Sequence, residues 1–95
     1  MNWIYRYETK GIQSWILEGN LLRDLAGGSA LIESLTQEAA EAAESAGATR
    51  ILQATSGAMT ALFPSLEALE AFASEWPMWV ACRAPGLHLV QAWVR

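Results

Sequence analysis

The stretch Thr49-Arg50-Ile51-Leu52-Gln53-Ala54-Thr55-Ser56-Gly57-Ala58-Met59-Thr60-Ala61-Leu62-Phe63-Pro64 holds two short runs, Arg50 to Thr55 and Ala58 to Phe63, joined by Ser56 and Gly57. Hydrophobicity alternates with a period of two, and a two-residue link ending in glycine is the signature of a β-hairpin. Pro64 lacks the N–H a strand would use and stops the second run. Upstream, Ser29 reads as the N-cap of a long helix, Ala30 to Ala46, with Leu31, Ile32 and Leu35 inside and Glu33, Glu38, Glu41 and Glu44 outside. Gly47 closes that helix. Downstream, Ser65 caps another, whose buried stripe is Leu66, Leu69, Phe72, Ala73 and Trp76. Pro77 is expected to kink it without ending it before about Arg83, the alternative being a strand over Met78 to Arg83 that turns back through Pro85 and Gly86.

Two outer segments complete the pattern. Asn2 to Glu8 alternates Trp3, Tyr5 and Tyr7 with Ile4, Arg6 and Glu8, which predicts a strand, and Leu87 to Val94 predicts a last one. Between the first strand and the long helix, Ile12, Trp15 and Ile16 place an apolar stripe on a short helix running to about Gly19. Ala26, Gly27 and Gly28 then read as a break. The order is β α α β β α β. This is an α+β, ferredoxin-like arrangement: a four-stranded antiparallel sheet with helices on one face.

Such a sheet leaves its other face bare, and here both faces carry apolar residues. A partner is therefore expected, either a second copy in a homodimer or another domain. The candidate contact residues are Trp3, Tyr5, Tyr7 and Trp93, or else Ile4 with the residues on its own side of the last strand.

Ninety-five residues are enough for one domain, and the hydrophobic fraction of 53% against 17% charged residues excludes a disordered chain. Six Lys and Arg against ten Asp and Glu give a net charge of -4, which offers duplex nucleic acid no electrostatic footprint. One cysteine, Cys82, excludes an intrachain disulfide and reads as a small buried hydrophobe. No apolar run approaches the length of a membrane span, and charges at Arg6, Glu8 and Lys10 interrupt any signal-peptide core, so a cytoplasmic setting is expected. The chain stops on its terminal strand at Val94 and Arg95, as an N-terminal domain of a longer protein would.

The segments Tyr7-Glu8-Thr9-Lys10-Gly11-Ile12-Gln13-Ser14-Trp15-Ile16-Leu17 and Leu22-Arg23-Asp24-Leu25-Ala26-Gly27-Gly28-Ser29 carry a resemblance. An acid, a Gly-Ile-Gln that opens a helix, then Leu-Arg and a glycine-serine turn resemble the palm domain of the large, polymerase-like subunit of type III CRISPR effector complexes. The minimal CRISPR polymerases related to it share the pattern. The resemblance implies two Mg²⁺ ions acting on ATP to make cyclic oligonucleotides or dinucleotides, held by the strand acid and by a Gly-Gly-Asp-Asp hairpin. On that reading Glu8 is the metal-binding acid, and Arg23, Gly27, Gly28 and Ser29 lie beside the nucleotide. The hairpin departs from the family: Ser56-Gly57-Ala58-Met59 stands where the carboxylates belong. The expectation is a palm without catalysis, which binds nucleotide or pairs with a second palm. The alternative is an interaction module that keeps only the fold.

Other chemistry finds little support. Gly27-Gly28 lacks the Lys-Ser or Lys-Thr of a P-loop. Trp3, Tyr5 and Tyr7 could stack bases, but the strand Ala58 to Phe63 lacks the basic and aromatic residues of RNA-binding sheets. His88 has no second histidine and no cysteine pair to form a zinc site or a dyad.

Overall fold

A computed structural model describes residues 2–11, 25–55 and 57–95, with the side chains of its first helix from Ala30 onward. The order is β1 (Trp3–Lys10), α1 (Leu25–Ser45), β2 (Arg50–Thr55), β3 (Ala58–Phe63), α2 (Leu66–Arg83) and β4 (His88–Val94). The four strands form one antiparallel sheet in the order β2-β3-β1-β4, an α+β architecture compatible with the ferredoxin-like fold. The hairpin runs match their expected bounds residue for residue. The short helix expected from Ile12 to Gly19 lies outside the described residues, as does Arg23.

Register fixes the faces. Trp3, Tyr5 and Tyr7 stand opposite Phe63, Ala61 and Met59 on β3, and Tyr5 stands opposite Trp93 on β4. This side lies beneath the helices. Its core joins Tyr5, Tyr7, Met59 and Phe63 to Ile32 and Leu35 of α1 and to Leu69, Phe72 and Trp76 of α2. The aromatic rings interlock: Tyr5 meets Phe72 edge-on at 5.1 Å, and Phe72 stacks on Trp76 at 5.9 Å. Such contacts add about 0.5–1.5 kcal/mol each beyond the area they bury.

Helix ends show why the chain turns where it does. At the end of α1, Gly47 adopts φ 113°, Ala48 N–H donates to Ala43 O at 2.9 Å, and Gly47 N–H donates to Glu44 O at 3.1 Å. Those two bonds are a Schellman motif, and only glycine takes that φ without strain. The Ser65 hydroxyl oxygen accepts from Ala68 N–H at 3.2 Å and caps α2. The helix then continues through Pro77 to Arg83, which settles Met78 to Arg83 as helix.

Four expectations need correction. α1 begins at Leu25, so Gly27 and Gly28 are helical and Ser29 is not its N-cap. Each glycine costs a helix about 1 kcal/mol, which the strong helix formers around them, Ala26, Ala30 and Leu31 among them, offset. β1 runs two residues past its expected end at Glu8, through Thr9 and Lys10. Cys82 is exposed, since its position on α2 faces away from the sheet. Tyr5 and Tyr7, at 0% and 1% exposure, are core residues and cannot form an interface.

Candidate functional site

The family resemblance sets its metal ligands where the β2–β3 turn meets the end of β1. Gly57, at φ 85°, is held from two sides. Its carbonyl accepts from Thr9 N–H at 2.9 Å and from the Thr9 hydroxyl at 3.0 Å. Its N–H donates at 3.0 Å to the hydroxyl oxygen of buried Thr36, which itself donates to Ile32 O at 2.9 Å. A helix threonine thus ties the turn to α1, while a strand threonine ties it to β1. No pattern in the sequence singled out Thr36, because a threonine inside a helix normally reads as a neutral surface residue.

Across this turn, Glu8 pairs in register with Ala58 on the face of the sheet that no described helix covers, the bare face among the described residues. Ile4, Arg6 and Lys10 share that face, and from the neighbouring strands so do Leu62, Thr60, Val90, Ala92 and Val94. Both oxygens of Glu8 are engaged: Arg6 Nε donates at 2.8 Å and Lys10 Nζ at 3.2 Å. Hydrogen bonding from Arg6, then from Lys10, holds the Glu8 carboxyl below its ordinary range. Arg6 reaches further, donating through Nη1 to Gln53 at 2.8 Å and to Thr60 at 2.7 Å. The bare face is therefore apolar at one end, around Ile4, Leu62 and Val94, and crossed by a charged and polar strip at the other.

These residues do not fit two Mg²⁺ ions. Ala58 has no donor atom, Met59 is fully buried on the opposite face, and Glu8 is a single carboxylate already shared by two cations. Among the described residues, no group of three or more His, Cys, Asp or Glu side chains stands together. The expected nucleotide turn fares no better as a turn, since Gly27, Gly28 and Ser29 are helical.

A second polar cluster joins the helices. Glu38 of α1 accepts from Arg83 Nη1 at 2.6 and 2.8 Å and from Trp79 Nε1 at 2.8 Å, and the Ser34 hydroxyl donates to it at 2.9 Å. Partial burial pushes the Glu38 carboxyl up, but the bonds from Arg83, Trp79 and Ser34 together outweigh it and leave it below its ordinary value. Glu38 therefore works as a clasp, where its spacing had marked it only as part of a solvated face. Beside it runs a groove of about 570 Å³ lined by Glu41, Ala42, Glu75, Met78, Trp79 and Cys82 among others.

The remaining candidates are dispersed. Trp3 is half-buried at the sheet end, with the Arg95 guanidinium 5.7 Å from its ring centre. Trp93 stacks on Tyr5 at 6.3 Å and keeps 37% of its surface exposed. His88 is exposed at the start of β4. None of the described helices is long and apolar enough to cross a membrane. No family model matches the chain, and no curated protein is significantly similar to it.

Proposed function

We propose that this chain is a palm-like domain without catalysis, of the kind found in type III CRISPR-type nucleotide signalling, that serves by pairing with a second palm. The observation that carries this reading is the register of Glu8 with Ala58 beside the β2–β3 turn. An acid at the end of the first strand facing the hairpin on the bare face is the layout the resemblance implies, with the hairpin carboxylates replaced. Met59 makes the replacement structural: its side chain belongs to the core, so a carboxylate there would be desolvated. The palm reading also carries nucleotide binding, for which Gly27 to Ser29 offer helix where a phosphate-holding turn was expected.

That same helical start favours the second reading, an interaction module that keeps the fold and takes no nucleotide. The two part company on ATP. Incubation with ATP and Mg²⁺ or Mn²⁺ followed by chromatography is expected to give no cyclic product. Product that disappears in Glu8→Ala would overturn the non-catalytic assignment. Calorimetric titration with ATP separates the readings: weak, Arg23-dependent binding supports a palm, and no heat at all supports the interaction module.

A further inference from the structure

The two edges of the sheet are built differently. β2 is interrupted by a register shift between Ile51 and Gln53 that leaves Leu52 out of the pairing. Bulges of this kind twist an edge away from neighbours and block its extension. Among the described residues, β4 has no such guard. It pairs with β1 through seven consecutive register positions without a shift, and the strand His88-Leu89-Val90-Gln91-Ala92-Trp93-Val94 contains no Lys, Arg, Asp, Glu or Pro. Val90 is 52% exposed and Val94 61%. An unbulged, uncharged, partly apolar edge whose outer backbone donors and acceptors no described strand pairs is a template for another strand.

We propose that β4 pairs antiparallel with β4 of a second copy, so that two domains share one eight-stranded sheet. This rests on the pairing reading above and names the surface. Three observations favour a second copy over a foreign peptide. A two-fold axis through Gln91 sets Val90 opposite Ala92 on the bare face and Leu89 opposite Trp93 on the helix side, with Gln91 against its own copy at the centre and His88 opposite Val94 at the ends. No like-charged pair arises within the strand, because it carries no Lys, Arg, Asp or Glu. Peptides that add to a sheet edge draw specificity from side-chain pockets beside it, whereas the groove described here takes no residue from β4. In the dimer the two bare faces become continuous, joining the Val90, Ala92 and Val94 strips of both copies.

The test is made on the whole chain. Light scattering is expected to report about twice 10.4 kDa at high concentration. Val90→Lys and Ala92→Lys, both at exposed positions, are expected to raise the midpoint concentration for association by about tenfold or more, the equivalent of ~1.4 kcal/mol. Circular dichroism and melting temperature should stay unchanged, and Leu52→Lys on the guarded edge should leave association unchanged. Register is read by oxidation in a Cys82→Ser background: Val90→Cys and Ala92→Cys proteins should cross-link when mixed and remain largely uncross-linked separately. Association that persists in both lysine variants, or cross-linking no better in the mixture than in either protein alone, would overturn the β4 assignment while leaving pairing through another surface intact. A monomer at every concentration would remove both.

Discussion

Neighbouring residues of one strand lead opposite lives in this domain. Tyr5 is enclosed by Phe63, Phe72 and Trp93, while Arg6, the next residue, lies on the open face and bonds to Glu8, Gln53 and Thr60. The covered face is held by packing, which is insensitive to salt and intolerant of polarity. The bare face is held by exposed charge-assisted bonds that each contribute little. Apolar residues on both sides of a strand therefore do not mark two interfaces. The aromatic side is the folding core, and of the sheet it is the other side, together with the β4 edge, that remains for a partner.

The sharpest way to break this comparison is a pair of substitutions at adjacent positions of β3. Met59→Asp would place a carboxylate in the core at a cost of several kcal/mol, comparable to the whole stability of a small domain, and is expected to abolish cooperative unfolding in urea. Ala58→Asp faces Glu8 in the open and should cost no more than about 1 kcal/mol. Similar urea midpoints for the two variants would invert the assigned faces.

Phe72→Ala comes next, with an expected loss of about 3–5 kcal/mol as the stack with Trp76 and the edge contact with Tyr5 disappear. Stability in alkali separates the faces by chemistry. Burial raises the pKa of Tyr5 and Tyr7 above the ordinary value of 10.0, so the unfolded state gives up these protons first. Their contribution is complete below that value and is lost as pH rises past it. Melting temperature should fall above pH 10.0, and Tyr5→Phe with Tyr7→Phe should flatten that slope, at a cost of about 1 kcal/mol for the bond Tyr5 donates to Gln91.

The smallest effects belong to the exposed ion pairs. Glu38 and Glu8 have carboxyls held below the ordinary 4.5, so their contribution is present above that value and lost as pH falls through the lower folded one. Arg83→Ala should reduce the Glu38 part of this acid sensitivity, leaving the bonds from Trp79 and Ser34, and lower stability by less than about 1 kcal/mol, an effect that 1 M salt largely screens. A larger, salt-insensitive loss in melting experiments would mean that the clasp belongs to the core.

The hairpin, the long helix and the continuation through Pro77 were legible because period-two alternation, the Gly57 turn and the Ser65 cap are local signals. Arg6 and Glu8 share one side of the expected first strand, but the strip they form with Lys10 was not legible, because that strand was expected to end at Glu8. Which face the helices cover was not, because strand alternation is symmetric until a tertiary partner is known. The apolar surface of Tyr5 and Tyr7 thus read as an interface when it was the core. The start of α1 was misread because Gly27-Gly28 is a strong local break signal that the surrounding helical context overrides. Thr36 and the Glu38 clasp escaped notice for a shared reason: their partners, Gly57 and Arg83, are distant in sequence, 21 and 45 residues away.

The division between a packing face and a working face is tested most directly by hydroxyl-radical footprinting of the native chain, read by mass spectrometry residue by residue. Tyr5, Tyr7 and Met59 should be protected until denaturant unfolds the domain, whereas Ile4 should be labelled at once and Val90 and Val94 should be labelled in dilute protein. Native labelling of Tyr5 and Tyr7 at the rate of Ile4 would contradict the account, because the aromatic face would then be the open one.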